Sequence, residues 1–351
     1  MRVPRRPIYW LVRKALNSYF VREELWRSNR DRFRRGMTPR LKDAEFDNLP
    51  SGYDLARAVA PSPISEPPVF ITARFRSGST FLWRLFRAIE GVTAYYEPLN
   101  ESRWFLHPEH NPPSDPSHRG VQNYGLEYSG MADLERLFDP NWGYHELYMD
   151  ERSHDQRLYR YLYELIRRAP GRPVLQFNRV DLRLPWLRAQ FPDATIVHLY
   201  RHPREQWMSL QMNKSIPLDC TLEGFARYDS FYALAWARDL RVIFPFLEPD
   251  GDMQPYALHY YLWRLSFAFG RAYSHVSLSY EDLNARFESM FGGLLAKLAI
   301  EKADLEQLGE LNRGPVPPRW PDYADDRWFS EIEAECERTL CIYFAGGPSP
   351  E

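Results

Sequence analysis

The stretch Val69-Phe-Ile-Thr-Ala-Arg-Phe-Arg-Ser-Gly-Ser-Thr-Phe-Leu-Trp-Arg-Leu-Phe-Arg-Ala-Ile89 changes periodicity at its middle. Residues 69–73 are β-branched, aromatic and short, the pattern of a strand buried on both faces, whereas residues 81–89 place apolar side chains at helical spacing. Between them residues 74–80 form a turn with one glycine. A strand feeding a helix through such a turn aims consecutive backbone N–H groups, and the positive end of the helix, at one point. A phosphate fits there. Gly78 lets the backbone approach closely, Ser77, Ser79 and Thr80 add hydroxyls, and Arg76 adds a permanent cation with fork geometry. The nucleotide-hydrolase pattern GxxxxGK[ST] is absent, which disfavours ordinary ATP or GTP hydrolysis. Taken alone, the loop suits a polar helix cap equally well.

Working outward, short apolar runs at residues 92–96, 174–177, 195–200 and 276–280 read as strands. Helical patterns at 156–168, 186–191 and 256–273 separate them. This alternation predicts an α/β fold of three layers, a mostly parallel open sheet with helices on both faces. Residues 38–68 are rich in Pro, Ser and Asp and read as a linker, which divides the chain into a basic extension, 1–61, and an α/β domain, 62–351. Within the domain, residues near 100–150 form an excursion and the end of the chain a helical tail.

The 351 residues are 44% hydrophobic and 26% charged, which excludes wholesale disorder. A net charge of −2 excludes a surface matched as a whole to nucleic acid, but the average hides an asymmetry. Residues 1–40 carry twelve basic and three acidic side chains, a net of +9, leaving −11 for the remainder. Within them residues 8–27 have the periodicity of a basic amphipathic helix, suited to a membrane surface or a partner protein, or simply to packing on the domain. Three cysteines without CxxC spacing support neither a disulfide framework nor a cysteine-built zinc site. With no membrane span or export signal in the sequence, the expectation is a cytoplasmic protein, peripheral to a membrane if residues 8–27 engage one.

A second strand-to-helix junction follows at Ile196-Val-His-Leu-Tyr-Arg-His-Pro-Arg-Glu-Gln-Trp-Met-Ser209. Arg201 sits at the carboxyl end of its strand, the edge where open α/β sheets bind ligands, and Ser209 lies on the helix beyond. Together they suit a second anion close to the first; the alternative is that Arg201 pairs with Asp193 or Glu205.

These two segments together resemble the P-loop sulfotransferases that use 3′-phosphoadenylyl sulfate (PAPS), closest to their carbohydrate and tyrosylprotein branches. Arg76-Ser-Gly-Ser-Thr-Phe-Leu82 is similar to the family's 5′-phosphosulfate loop, and Arg201-His-Pro-Arg with Ser209 to its 3′-phosphate site, where the family has Asp in place of His202. Tyr96-Glu-Pro-Leu99 and Ser279-Tyr-Glu-Asp-Leu283 match two further landmarks in the expected order. The resemblance implies transfer of a sulfuryl group to a hydroxyl or amine of a small molecule, glycan or lipid, with no metal and no nucleic acid. It implies that Arg76, Ser77, Gly78, Ser79, Thr80 and Phe81 hold the 5′-phosphosulfate and Arg201 and Ser209 the 3′-phosphate. Glu97, at the end of the second strand, becomes the catalytic base beside Arg76, with His107, His110, His198 and His202 in reserve.

Some positions depart from that pattern. Gln176 stands where the family often has Lys, leaving Arg179 as the nearby cation. Asn312-Arg-Gly314 is the closest match to a late Arg-Lys-Gly signature, and residues 280–283 read as a strand end packed into the core. Trp104, Trp142, Trp320 and Trp328 suit either an acceptor site or the core. Three other classes compete: a nucleotide or small-molecule kinase, which normally needs Mg²⁺ and a loop lysine, a scaffold that binds adenosine 3′,5′-bisphosphate without turnover, and nucleic-acid binding through residues 1–40, which Glu23 and Glu24 in the second half of the proposed helix disfavour.

Overall fold

The apolar runs become five parallel strands, the inner ones buried on both faces and the edge strand at 276–279 on one. In the computed structural model the described residues are 66–109, 118, 121–212, 214–249 and 251–346. The basic helix expected at 8–27 and the linker up to residue 65 lie outside them.

In chain order the elements are β1 (Val69–Thr72), α1 (Ser79–Arg87), β2 (Val92–Tyr96), α2 (Gln156–Arg168), β3 (Arg172–Phe177), α3 (Leu184–Gln190) and β4 (Thr195–Tyr200). Then follow α4 (Pro203–Leu210), α5 (Leu222–Phe225), α6 (Ala233–Leu240), α7 (Pro255–Tyr273), β5 (Val276–Ser279), α8 (Tyr280–Ala285), α9 (Phe287–Lys297), α10 (Leu305–Gly309) and α11 (Asp326–Gly346). The sheet order is β2-β3-β1-β4-β5, all parallel. The step from β1 to β2 runs one way along the sheet and every later step runs the other. Right-handed crossovers therefore put α1 on one face and α2, α3 and α7 on the opposite face. Ring contacts agree: Phe86 of α1 meets Phe291 of α9 at 5.6 Å, while Tyr159 of α2 stacks on Phe191 after α3 at 5.2 Å. The expected three layers are present.

Most boundaries shift by one or two residues from the sequence reading, and three of the shifts have a local cause. Helix α1 starts two residues early because Gly78, at φ 92°, caps it. Strand β3 begins at Arg172, where pairing with Val92 starts. Strand β5 stops at Ser279, whose hydroxyl accepts from the Asp282 amide at 3.2 Å and starts α8, so Tyr280 opens a helix instead of ending a strand. The excursion after β2 is built from turns and 3-10 segments at Leu126–Tyr128, Ala132–Arg136 and Pro140–Gly143. Its Trp104 and Trp142 are buried, and Trp320 and Trp328 pack around Phe329.

A second apolar cluster surrounds α6, α7 and α11. Arg204 of α4 fastens α11 to it, bonding Glu333 through both Nε and Nη2 at 2.8 Å, Ser330 at 3.0 Å and Asp326 at 2.6 Å, under the rings of Trp320 and Phe329. The second arginine of the 201–204 motif is thus structural. Arg204→Met should lower stability by about 2–3 kcal/mol, less than a fully buried pair because the carboxylates reach solvent, and urea unfolding with an unchanged slope checks this.

Candidate active site

The turn after β1 is closed from within. Ser77 donates both its amide and its hydroxyl to Arg74 O, at 3.2 and 2.6 Å, and is almost completely buried. Ser77 therefore builds the turn from beneath and is absent from the cavity wall, unlike its neighbours. Gly78 is required twice over: its φ of 92° is left-handed, and a Cβ there would lie 2.2 Å from the ring of Tyr280. No side chain caps α1 and no acidic residue stands in its first turn; Phe81 N donates to Gly78 O at 3.0 Å, while the amides of Ser79 and Thr80 have no partner from the helix itself. Ser79, Thr80 and Phe81 line the cavity over this helix end, and Thr80 Oγ1 lies 3.0 Å from both Tyr96 OH and His118 Nε2.

Arg76 also adopts a left-handed backbone, φ 68°. Its Nε donates to the Ser209 carbonyl and hydroxyl, each at 3.1 Å, and its own carbonyl accepts from Arg201 Nη1 at 3.3 Å. The two junctions, 125 residues apart from Arg76 to Arg201, thus touch directly. Arg201 lies over the Tyr280 ring at 5.0 Å, with Glu205 at 3.4 Å and Glu281 at 4.0 Å. The pairing weighed for Glu205 therefore exists, yet the guanidinium still lines the cavity, and its Nε is buried without a hydrogen-bond partner. Burial weakens its hold on the proton, opposed by Tyr280, Glu205 and Glu281, but an arginine remains cationic.

Glu97 follows β2 with φ 40°, a third left-handed backbone at the cavity. Its Oε1 accepts from Asn178 Nδ2 at 2.6 Å; its Oε2 accepts from Asn100 Nδ2 at 2.6 Å and Arg179 Nη1 at 3.2 Å. The ion pair that any sequence reading must weigh for a glutamate is therefore present, with Arg179. A carboxylate offers about four lone-pair positions, and three are taken. The Tyr96 side chain also engages this carboxylate, and Oε1 is the oxygen beside cavity-lining Asn178.

Arg76, Gly78, Ser79, Thr80, Phe81, Glu97, Arg201 and Ser209 thus share one cavity of about 660 Å³ including its open mouth. Phe75, Tyr96, His118, Asn178, Phe231 and Tyr280 complete its wall. Asn178 carries a readable signal, since it directly follows β3 just as Glu97 follows β2; Phe231 and His118 come from irregular segments with none. Tyr280 is corrected from core strand to cavity floor. Asn312 and Gly314 line a separate groove beside α9, so the proposed late signature does not reach this cavity. Among the reserve bases, His198 is buried against Ser277 Oγ at 2.9 Å, and burial pulls its pKa down to about 3. His107 is exposed, His202 faces another pocket across β4, and His110 lies outside the described residues. None of the four tryptophans lines the cavity. Among the described residues no cluster of His, Cys, Asp or Glu has a metal-holding arrangement, and no helix is long and apolar enough to cross a membrane.

Comparison with known proteins adds the lineage. Residues 67–304 match the model of the sulfotransferase family. Among solved structures, a Mycobacterium avium sulfotransferase matches at 15% identity and TM-score 0.41 over 84% of this chain and 80% of its own. A Mycobacterium tuberculosis sulfotransferase matches at 17% identity and TM-score 0.40, over 81% and 79%. The sulfotransferase domain of the curacin biosynthetic pathway matches at 16% identity and TM-score 0.38, over 79% and 97%. No curated protein matches the sequence. On the family match, from the start of β1 through β5 to α9, this chain belongs to the sulfotransferase family.

Proposed function

We propose that the protein transfers a sulfuryl group from PAPS to a hydroxyl or amine of a small-molecule, carbohydrate or lipid acceptor. The observation that carries this reading is the single cavity uniting an uncapped helix start, two arginines from separate strand ends and one hydrogen-bonded glutamate. PAPS supplies an activated sulfuryl group and a second phosphate, and the residues fit both parts. The first-turn amides of α1 with Ser79, Thr80 and Arg76 suit the 5′-phosphosulfate. Arg201, with a buried unpartnered Nε, and Ser209, which accepts from Arg76 and keeps its own O–H to donate, suit the 3′-phosphate.

Each group then has one task. Arg76 and the helix start stabilise charge that grows on the departing phosphate, an electrostatic contribution that needs no reorganisation in a preformed site. Glu97 Oε1 takes the acceptor's proton as the bond to sulfur forms. Asn100, Asn178 and Arg179 fix that carboxylate in the cavity wall. Thr80, tied to Tyr96 and His118, orients the loop.

Nucleotide binding tests the reading. Adenosine 3′,5′-bisphosphate at a hundredfold excess over its Kd, without Mg²⁺, should stabilise the protein by about 2.7 kcal/mol and raise its Tm by several degrees. Arg201→Ala should abolish the response, and ATP with Mg²⁺ should give less. Equal shifts from the two nucleotides would remove the donor assignment.

A further inference from the structure

Arg179 lies behind Glu97, outside the cavity wall, with 3% of its side chain exposed. Its guanidinium is divided between two carboxylates: Nη1 donates to Glu97 Oε2 at 3.2 Å and Nη2 to Glu101 Oε2 at 2.6 Å. Nη1 also donates to Asn178 Oδ1 at 3.0 Å, the residue that bonds Glu97 through its other end. Rings of Phe75 and Tyr232 flank the cation at 5.1 and 5.8 Å, so it has little room to swing. Glu101, half exposed, is held in turn by the Tyr232 hydroxyl. Tyr232 precedes α6 with φ 63° and adjoins cavity-lining Phe231.

We propose that Arg179 is the positioning residue of this site, and that Glu101, by competing for it, sets how strongly Glu97 holds a proton. The proposal rests on the sulfotransferase reading for its catalytic meaning, though not for its electrostatics. A glutamate gripped by an undivided arginine is a poor base, and one left in a buried site without a cation takes up a proton and cannot act. The guanidinium is shared between the two carboxylates, with the shorter contact to Glu101. The other titratable groups around Glu97 are Tyr96, adjacent in the chain, and Tyr128 behind it, both kept neutral by burial. Arg76, Arg201 and His118 face it across the cavity. Gln176, standing in β3 where the family often has a lysine, supplies no charge, and Arg179 is in direct contact with Glu97.

The test is a carboxyl-carbon NMR titration of the full chain carrying ¹³C-labelled glutamate, with the Glu97 signal identified by its loss in Glu97→Gln. Arg179→Met should raise the Glu97 pKa by about 1–2 units, the size of effect expected on removing an adjacent arginine. Arg179→Lys should fall between that variant and the parent. Glu101→Gln should lower it, because a negative neighbour is lost and the charge of Arg179 is no longer divided between two carboxylates. Opposite signs are the signature, since a purely structural role moves both variants alike. An unchanged Glu97 in Arg179→Met, or movement of Glu101→Gln in the same direction, overturns the proposal; should Arg179→Met fail to fold, Arg179→Lys and Glu101→Gln carry the same sign comparison. No donor or acceptor enters this measurement, so failure of the nucleotide test leaves its outcome readable.

Discussion

Glu97→Gln should lower kcat for sulfuryl transfer by about 10²–10⁴-fold, the usual contribution of a positioned general base, while the Tm shift with adenosine 3′,5′-bisphosphate stays at its parental value. The substitution keeps shape and removes proton affinity. Arg179 retains Glu101 and Asn178 Oδ1 as partners, so the buried guanidinium is not stranded, and stability should change by less than a charge-to-apolar replacement would cause. The anion-binding residues stand on β1–α1 and β4–α4, whereas Glu97 stands on the end of β2, and this separation is why binding and turnover should part cleanly. Undiminished kcat in Glu97→Gln, measured with labelled donor and any accepted substrate, would move the base elsewhere, and cavity-lining His118 is the next group with proton affinity.

Gly78→Ala is expected to cost about 2–4 kcal/mol of stability and more than tenfold in nucleotide affinity. Two causes act together. A left-handed backbone at φ 92° penalises any Cβ by roughly 1–2 kcal/mol, and that Cβ would fall 2.2 Å from the Tyr280 ring, forcing the ring to move. Tyr280 supports the Arg201 guanidinium at 5.0 Å, so a small change in the first anion loop propagates to the second. Adding Tyr280→Ala to Gly78→Ala separates the two: it should recover stability by removing the collision, leaving the backbone cost, and should not recover affinity. Calorimetric unfolding with and without nucleotide reads both quantities. A Gly78→Ala protein with parental affinity would show that the loop tolerates a right-handed substitute and that its geometry is not what holds the anion.

The sheet was legible because its strands are buried on both faces and read as continuous apolar runs, and the helices between them keep strict spacing, as residues 156–168 do. That the residues proposed to bind anions share one cavity was legible for a related reason: they stand at strand ends, where chain order alone predicts a ligand edge. Local signals failed where a side chain changes role through a distant contact. Ser77 looks like a donor to phosphate until its hydroxyl is seen closing the turn on Arg74. Tyr280 looks like the end of an apolar strand until Ser279 caps a helix in front of it and the ring becomes the floor under Gly78. The Glu97 clamp joins residues 100, 178 and 179 to residue 97, and only the alignment of β2 beside β3 brings those strand ends together. No spacing in one chain encodes that neighbourhood.

Residues 204 and 205 stand side by side on α4 and reach in different directions. Arg204 grips α11, while Glu205 accepts the amides of Arg319 and Trp320 through Oε1 and contacts Arg201 through Oε2. The family match ends at residue 304, before every one of those tail partners. A fragment cut at the last matched residue would keep all eight cavity residues foreseen from the sequence, yet lose the backbone amides that hold Glu205 beside Arg201 and the carboxylates that pair with Arg204. The matched length and the length that braces Arg201 are different.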